Sequence, residues 1–185
     1  MPNKSVKSCV HKAAHTWTKL NSQLGRLPRH YVFKGNTMGK YNLAQINIAH
    51  AQNKMDSDEM KEFVERLDEI NSLADKSHGF IWRLQGEEGN ATTIKAFDDP
   101  LLLVNMSVWE NLDSLKNYVY KSVHVELIRD RDAWFNKMIK AHQALWWIPA
   151  GHIPSVAEGK KKLDYLQKHG VSKTAFTFSK FFDHE

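Results

Sequence analysis

Between Tyr41 and Ala49 apolar and polar residues alternate, with Ala44, Ile46 and Ile48 on one side and Leu43, Gln45 and Asn47 on the other. A period of two sends successive side chains to opposite faces and predicts a strand. Past a polar loop, Asp56 and Glu59 have the spacing of a capping box, and Met60, Phe63, Val64, Leu67, Ile70 and Ala74 follow at helical spacing. Gly79 stops that helix. Strands are predicted over 79–85 and 101–109, with an extended stretch around 92–97 between them. A short helix from Leu112 to Tyr120 precedes a longer one from near Ser122, whose buried stripe runs through His124, Ile128, Arg131, Phe135 and Met138. Residues 143–149, QALWWIP, make a fourth strand that Pro149 and Gly151 end. Ser155 and Glu158 open a helix carrying Val156, Leu163 and Leu166, which stops at His169-Gly170. AFTFSKFF, residues 175–182, reads as a last edge strand. The order predicts an α+β fold, a ferredoxin-like antiparallel sheet with helices on one face.

Such a sheet leaves its second face to be covered by something else. The face that carries Leu43, Gln45 and Asn47 in the first strand carries Leu103, Asn105, Ser107 and Trp109 in the third, opposite the apolar Val104, Met106 and Val108. Amides, a hydroxyl and aromatics among apolar walls read as the lining of a ligand cavity. The expectation is that this mixed face is the one the helices leave open. Trp146 and Trp147 are adjacent in a strand and must point to opposite faces. Trp147 is assigned to the cavity and Trp146 to the core under the helices.

Charge changes the picture less than its total suggests. The net +5 looks like a nucleic-acid signal, but eight of the 26 cations fall in residues 1–40, which hold no Asp or Glu, leaving 18 against 21 acids in the rest. No folded face gathers cations as a nucleic-acid surface would. The lone Cys9 excludes an internal disulfide and a cysteine-based zinc cluster, and suits a reducing, cytoplasmic setting. HExxH, clustered carboxylates with histidine and a glycine-rich phosphate loop are all missing, so neither a metal nor a cofactor is expected. No apolar run has a membrane span's length. Residues 1–37 are basic and rich in Ser and Thr, and read as a disordered extension ahead of a domain over 38–185. A transit peptide, or an upstream extension of a frame that starts at Met38, reads the same way.

The segments YNLAQINIA, GFIWRLQ, LLVNMSVWE, YVYKSVH, RDAWF, LWWIPAGHIPS and AFTF, in this order from Tyr41 to about Phe182, resemble the family catalogued as domain of unknown function 3291. That resemblance implies the dimeric α+β barrel superfamily, to which antibiotic-biosynthesis monooxygenases belong, and with it a homodimer whose two sheets face one another. Relatives there span cofactor-free monooxygenases, haem-degrading enzymes, chlorite dismutases, lactone isomerases and ligand-sensing modules, so fold leaves function open. The haem-degrading relatives use an Asn on the first strand, a Trp on the helix after the third strand and a His about three turns on. Asn47 matches the first. Tyr118 stands in the Trp position, and Ile128 where the His belongs, with His124 too early.

Within this frame His124 is the candidate acid/base, because imidazole titrates near neutrality, and Asn47 orients a reacting oxygen. Gln45, Asn105, Ser107, Trp109, Tyr118 and Trp147 are candidate ligand contacts. Arg83 either faces the cavity and holds an anionic oxygen or pairs with a surface acid. His152, in a Pro/Gly turn, is either a pocket rim or a turn stabiliser. Buried amides demand partners, so Asn47 and Asn105 either bind a ligand or form a structural network. The expected function is binding of an apolar aromatic or polyketide-like compound, with cofactor-independent monooxygenase or isomerase chemistry. The alternative is a non-catalytic ligand-binding or stress-associated homodimer.

Overall fold

A computed structural model describes residues 40–121 and 129–184. The extension over 1–37 and His124 lie outside them. The described elements run β1 (Tyr41–His50), α1 (Lys61–Lys76), β2 (Phe80–Arg83), β3 (Leu102–Trp109), α2 (Leu112–Lys121), β4 (Gln143–Pro149) and α3 (Val156–His169). The four strands form one sheet in the order β2-β3-β1-β4, and every neighbouring pair is antiparallel. This is the ferredoxin-like arrangement that the order of patterns predicts. No helix among the described residues is long and apolar enough to cross a membrane.

The sheet's two faces are covered differently. On one, Ala44, Ile46, Ile48, Val104, Met106, Val108, Trp146 and Ile148 pack with Leu163 and Leu166 of α3. Ile46 and Met106 are fully buried within the single chain, each stabilising the fold by about 1.5–3 kcal/mol. Gly159 lets α3 come this close, since a Cβ there would lie 3.0 Å from Ile46 Cδ1 and 3.0 Å from Met106 Sδ. Residues 94–97 finish the cover: Ile94, Ala96 and Phe97 pack on the same cluster, and Lys160 Nζ donates to Ala96 O at 2.6 Å while lying over the Phe97 ring. On the other face Leu43, Trp109 and Leu145 pack with Leu112, Leu115 and Val119 of α2, and α1 lies over the remainder.

This corrects the expected sidedness. The two helices of the ferredoxin-like core do share one face, but it is the amide-bearing face, and Asn47 and Ser107 lie on their side of the sheet. The plainly apolar face belongs to the appended helix α3. Both faces are thus covered by the chain itself, and the argument that a second copy must cover an open face loses its basis.

Three local expectations are also revised. Of the helix predicted from near Ser122 through Phe135 and Met138, residues 122–128 lie outside the described residues, 129–130 are helical, and from there a 3-10 turn, Arg131–Ala133, takes over. Trp134 and Phe135 turn instead into a cluster with Met60 and Phe63, and Phe135 bridges Ala51. The terminal segment 175–182 makes one bridge, Phe176 to Leu145, rather than a strand. Helix α1 starts at Lys61 after a 3-10 turn, Asp58–Met60, one turn later than the Asp56–Glu59 spacing suggests. The other helix start is as read: Ser155 accepts a bond from Glu158 N at 3.1 Å.

Candidate functional site

Directly opposed residues in an antiparallel ladder share a face and touch, so register builds the site row by row. One row across β3, β1 and β4 is Trp109, Leu43 and Trp147; the next is Ser107, Gln45 and Leu145; the third is Asn105, Asn47 and Gln143. The floor therefore grades from aromatic to amide along the strands. Above it lies a cavity of about 350 Å3, within the range that small-molecule sites occupy. Phe63, Leu67, Ile70 and Ala74 of α1 form its roof. The first three are only half-buried, because their stripe faces open space rather than a packed core.

The aromatic end is closed and tightly bonded. Trp109, fully buried, stacks on Tyr118 at 5.1 Å and meets Phe80 edge-on at 5.3 Å. Its Nε1–H donates to Ser107 Oγ at 2.8 Å, and Ser107 donates to Gln45 Oε1 at 3.0 Å. The Tyr118 hydroxyl donates to Ile70 O at 3.4 Å, tying α2 to α1. Burial drives the phenol's pKa far above the usual tyrosine value, with Arg83 only partly opposing, so Tyr118 stays protonated. Arg83 pairs with an acid and also borders the cavity. Its guanidinium grips Asp75 at 2.8 and 3.2 Å and donates to Gly89 O at 2.6 Å.

The amide end is different in kind. Among the described residues, the side chains of Asn47, Asn105 and Gln143 have no hydrogen-bond partner, and neither does Gln45 Nε2. Beside them lie Arg131 and His142. Burial and the Arg131 charge hold the His142 pKa below the ordinary 6.5. This imidazole is therefore neutral at physiological pH and able to accept a proton.

Of the residues singled out from sequence, the structure gathers Gln45, Asn47, Arg83, Asn105, Ser107, Trp109 and Tyr118 around one space. Asn105 stands at its exposed edge. Two others are elsewhere. Trp147 shares the cavity's face, but the C-terminal segment covers it: its indole donates to Phe182 O at 2.6 Å and packs near Phe176. His152 is on the α3 side, where its Nε2 meets Glu158 Oε2 at 2.8 Å while Trp146 Nε1 donates to Glu158 Oε1 at 2.9 Å. It stabilises the turn that opens α3. Sequence reasoning missed Gln143 and His142. Alternation through QALWWIP puts Gln143 on the face of Trp147 and could have found it, whereas no pattern marks His142, which stands just before the strand.

Among solved structures the chain is similar to the NE2512 protein of unknown function from Nitrosomonas europaea, at 9% identity over 63% of this chain and 97% of that one, TM-score 0.41. It is also similar to SnoaB, a cofactor-independent oxygenase from Streptomyces nogalater, at 12% identity over 60% and 95%, TM-score 0.39. PA3566 from Pseudomonas aeruginosa matches at 11% identity over 63% and 100%, TM-score 0.42. Scores this low carry no argument about activity. No curated protein matches the chain. Residues 42–185, most of the chain and all of the sheet but its first residue, match the family model described as domain of unknown function, DUF3291, and the protein belongs to that family.

Proposed function

We propose that the chain binds an apolar, ring-bearing small molecule between its sheet and α1, and acts on it as a cofactor-independent monooxygenase or isomerase. The observation that carries this reading is the set of amides at Gln45, Asn47 and Gln143, which line a cavity roofed by aliphatic and aromatic side chains and offer it groups that have no partner among the described residues. These amide atoms are not sealed from solvent, and several polar groups converging on one apolar-walled space suit a ligand better than a fold.

The chemistry follows from what the residues offer. His142 takes a proton from a carbon made acidic by a neighbouring carbonyl, and the amides of Gln45 and Asn47 hold the enolate oxygen so formed. Returning the proton to a different carbon is an isomerisation. Reaction of the anion with O2 instead converts a CH2 to C=O and releases the second oxygen atom as water, which balances without a cofactor. Asn47 keeps the orienting role expected from sequence; among the described residues His142 stands in place of His124. A homodimer and a cytoplasmic setting are further parts of the proposal, resting on the family resemblance and on the single cysteine.

Native mass spectrometry of the purified chain should reveal a co-purified ring compound, and an oxygen electrode with a panel of phenols and cyclic ketones should register uptake that His142→Ala and Asn47→Ala abolish. Loss in His124→Ala but not His142→Ala would return the base to the earlier candidate. A ligand retained unaltered, with no oxygen uptake or isomerised product, would assign the cavity to binding alone. Absence of any ligand, together with no thermal shift across the panel, would sink the reading.

A further inference from the structure

The hydrogen-bond chain on the cavity floor runs in one direction, from Trp109 through Ser107 to Gln45. An indole N–H can only donate, so Trp109 uses Ser107 Oγ as an acceptor. The single hydrogen of the Ser107 hydroxyl is then free to go to Gln45, 3.0 Å away, and only the carbonyl end of the Gln45 amide can receive it. Its Nε2H2 group is thereby turned away from Ser107. Gln45 is 8% exposed, Ser107 7% and Trp109 0%, so bulk water does not compete for the chain and the amide has little freedom to flip. Gln45 lines the cavity, and Nε2 has no partner among the described residues. Nor is Nε2 sealed inside the protein, since the buried, unbonded side-chain atom among the described residues is Ser57 Oγ. The surface left to it is the cavity's.

Neighbouring amides lack this constraint. Among the described residues Asn47 and Gln143 are held by no side-chain bond that distinguishes oxygen from nitrogen, so either can turn to serve a donor or an acceptor. Gln45 cannot. We infer that Gln45 is the fixed donor that selects the ligand by its oxygen: the site takes a flat ring bearing a ketone or quinone carbonyl, or the enolate or phenolate made from one, and discriminates against the same ring without that oxygen. This deepens the small-molecule reading above and rests on it. Trp109 and Ser107 act as positioning residues, since they reach the ligand only through the orientation they impose on Gln45.

The probes are 9-fluorenone and fluorene, which differ in a carbonyl oxygen on one ring skeleton, titrated into the full-length protein by calorimetry. The native protein binds fluorenone about tenfold more tightly, the scale of one shielded hydrogen bond whose loss strands a buried donor. Gln45→Leu removes the preference while keeping fluorene affinity, and Gln45→Glu, which accepts but cannot donate, inverts it. Ser107→Ala frees the amide and shrinks the preference, and Ser107→Thr restores it, a pattern that simple loss of packing would not give. Equal affinities in the native protein, or an undiminished preference in Gln45→Leu, overturn the donor assignment while leaving the cavity reading intact. Failure of both compounds to bind, in a protein that also carries no ligand, overturns the two together. Should Gln45→Leu not fold, the native comparison decides by itself.

Discussion

The sharpest separation between a ligand-binding amide and a structural one comes from Asn47→Leu. Asn47 is half-buried on the floor of the cavity, flanked in register by Asn105 and Gln143, and its side chain has no hydrogen-bond partner among the described residues. Leucine is nearly the same size. At a half-buried site it gains about half of the ~1.5–3 kcal/mol available on full burial, so about 1 kcal/mol. Removing an amide that no described protein group satisfies contributes up to about 1 kcal/mol more. The variant is therefore expected to be more stable by about 1–2 kcal/mol, raising Tm by about 3–6 °C for a domain of this size, while ligand affinity falls about tenfold. Ser107→Ala is the matched control. It breaks the bond from Trp109, strands a buried indole N–H, and should cost about 1–3 kcal/mol. Urea denaturation of the three proteins, with unchanged m-values as evidence of two-state unfolding, reads both signs. If Asn47→Leu destabilises by 1 kcal/mol or more, the amide belongs to a structural network and the cavity reading loses its main support.

Gly79 has φ +75°, and a Cβ there would lie 2.7 Å from Ser114 Cβ, so Gly79→Ala combines left-handed strain with overpacking and should cost about 2–4 kcal/mol in a denaturant titration; a loss below about 0.5 kcal/mol would contradict that. Because burial and Arg131 hold His142 below 6.5, the acid limb of the turnover profile should lie below pH 6.5, and Arg131→Gln should move it upward. Linkage has the same sign: the unfolded chain takes up the proton first, so stability falls as pH drops through that window. Burial raises the Glu158 carboxyl, but hydrogen bonds from His152 and Trp146 and the nearby charges of His152 and Lys162 outweigh it and leave the group below the usual 4.5. Its contribution is present above pH 4.5 and lost as pH falls through the lowered value. The stability advantage of the native protein over Glu158→Gln at pH 6 should shrink in acid; a constant difference would refute the assignment.

The sequence by itself determined the elements and the composition of each face of the sheet. Alternation in YNLAQINIA and QALWWIP fixes which residues share a side, because the strand period is two whatever packs above it. Ser155, Glu158 and Gly170 delimit α3 through bonds confined to a few neighbouring residues. Even the separation of Trp146 from Trp147 is a local fact. What alternation cannot say is which face each helix takes, since α1 and α3 both present apolar stripes and either could lie over Ile46 and Met106. That was decided by close packing: Gly159 admits α3 onto the smooth aliphatic face, while α1, held by Tyr118 at Ile70 and Arg83 at Asp75, spans the amide face and leaves space beneath it. The site residues that went unread share this cause. His142 becomes a cavity residue only because the fold brings the loop ahead of β4 to the cavity wall near Arg131, and Trp147 is withdrawn from the cavity by Phe182, 35 positions later in the chain. Contacts between distant segments carry no periodic signature, so only the folded chain could reveal them.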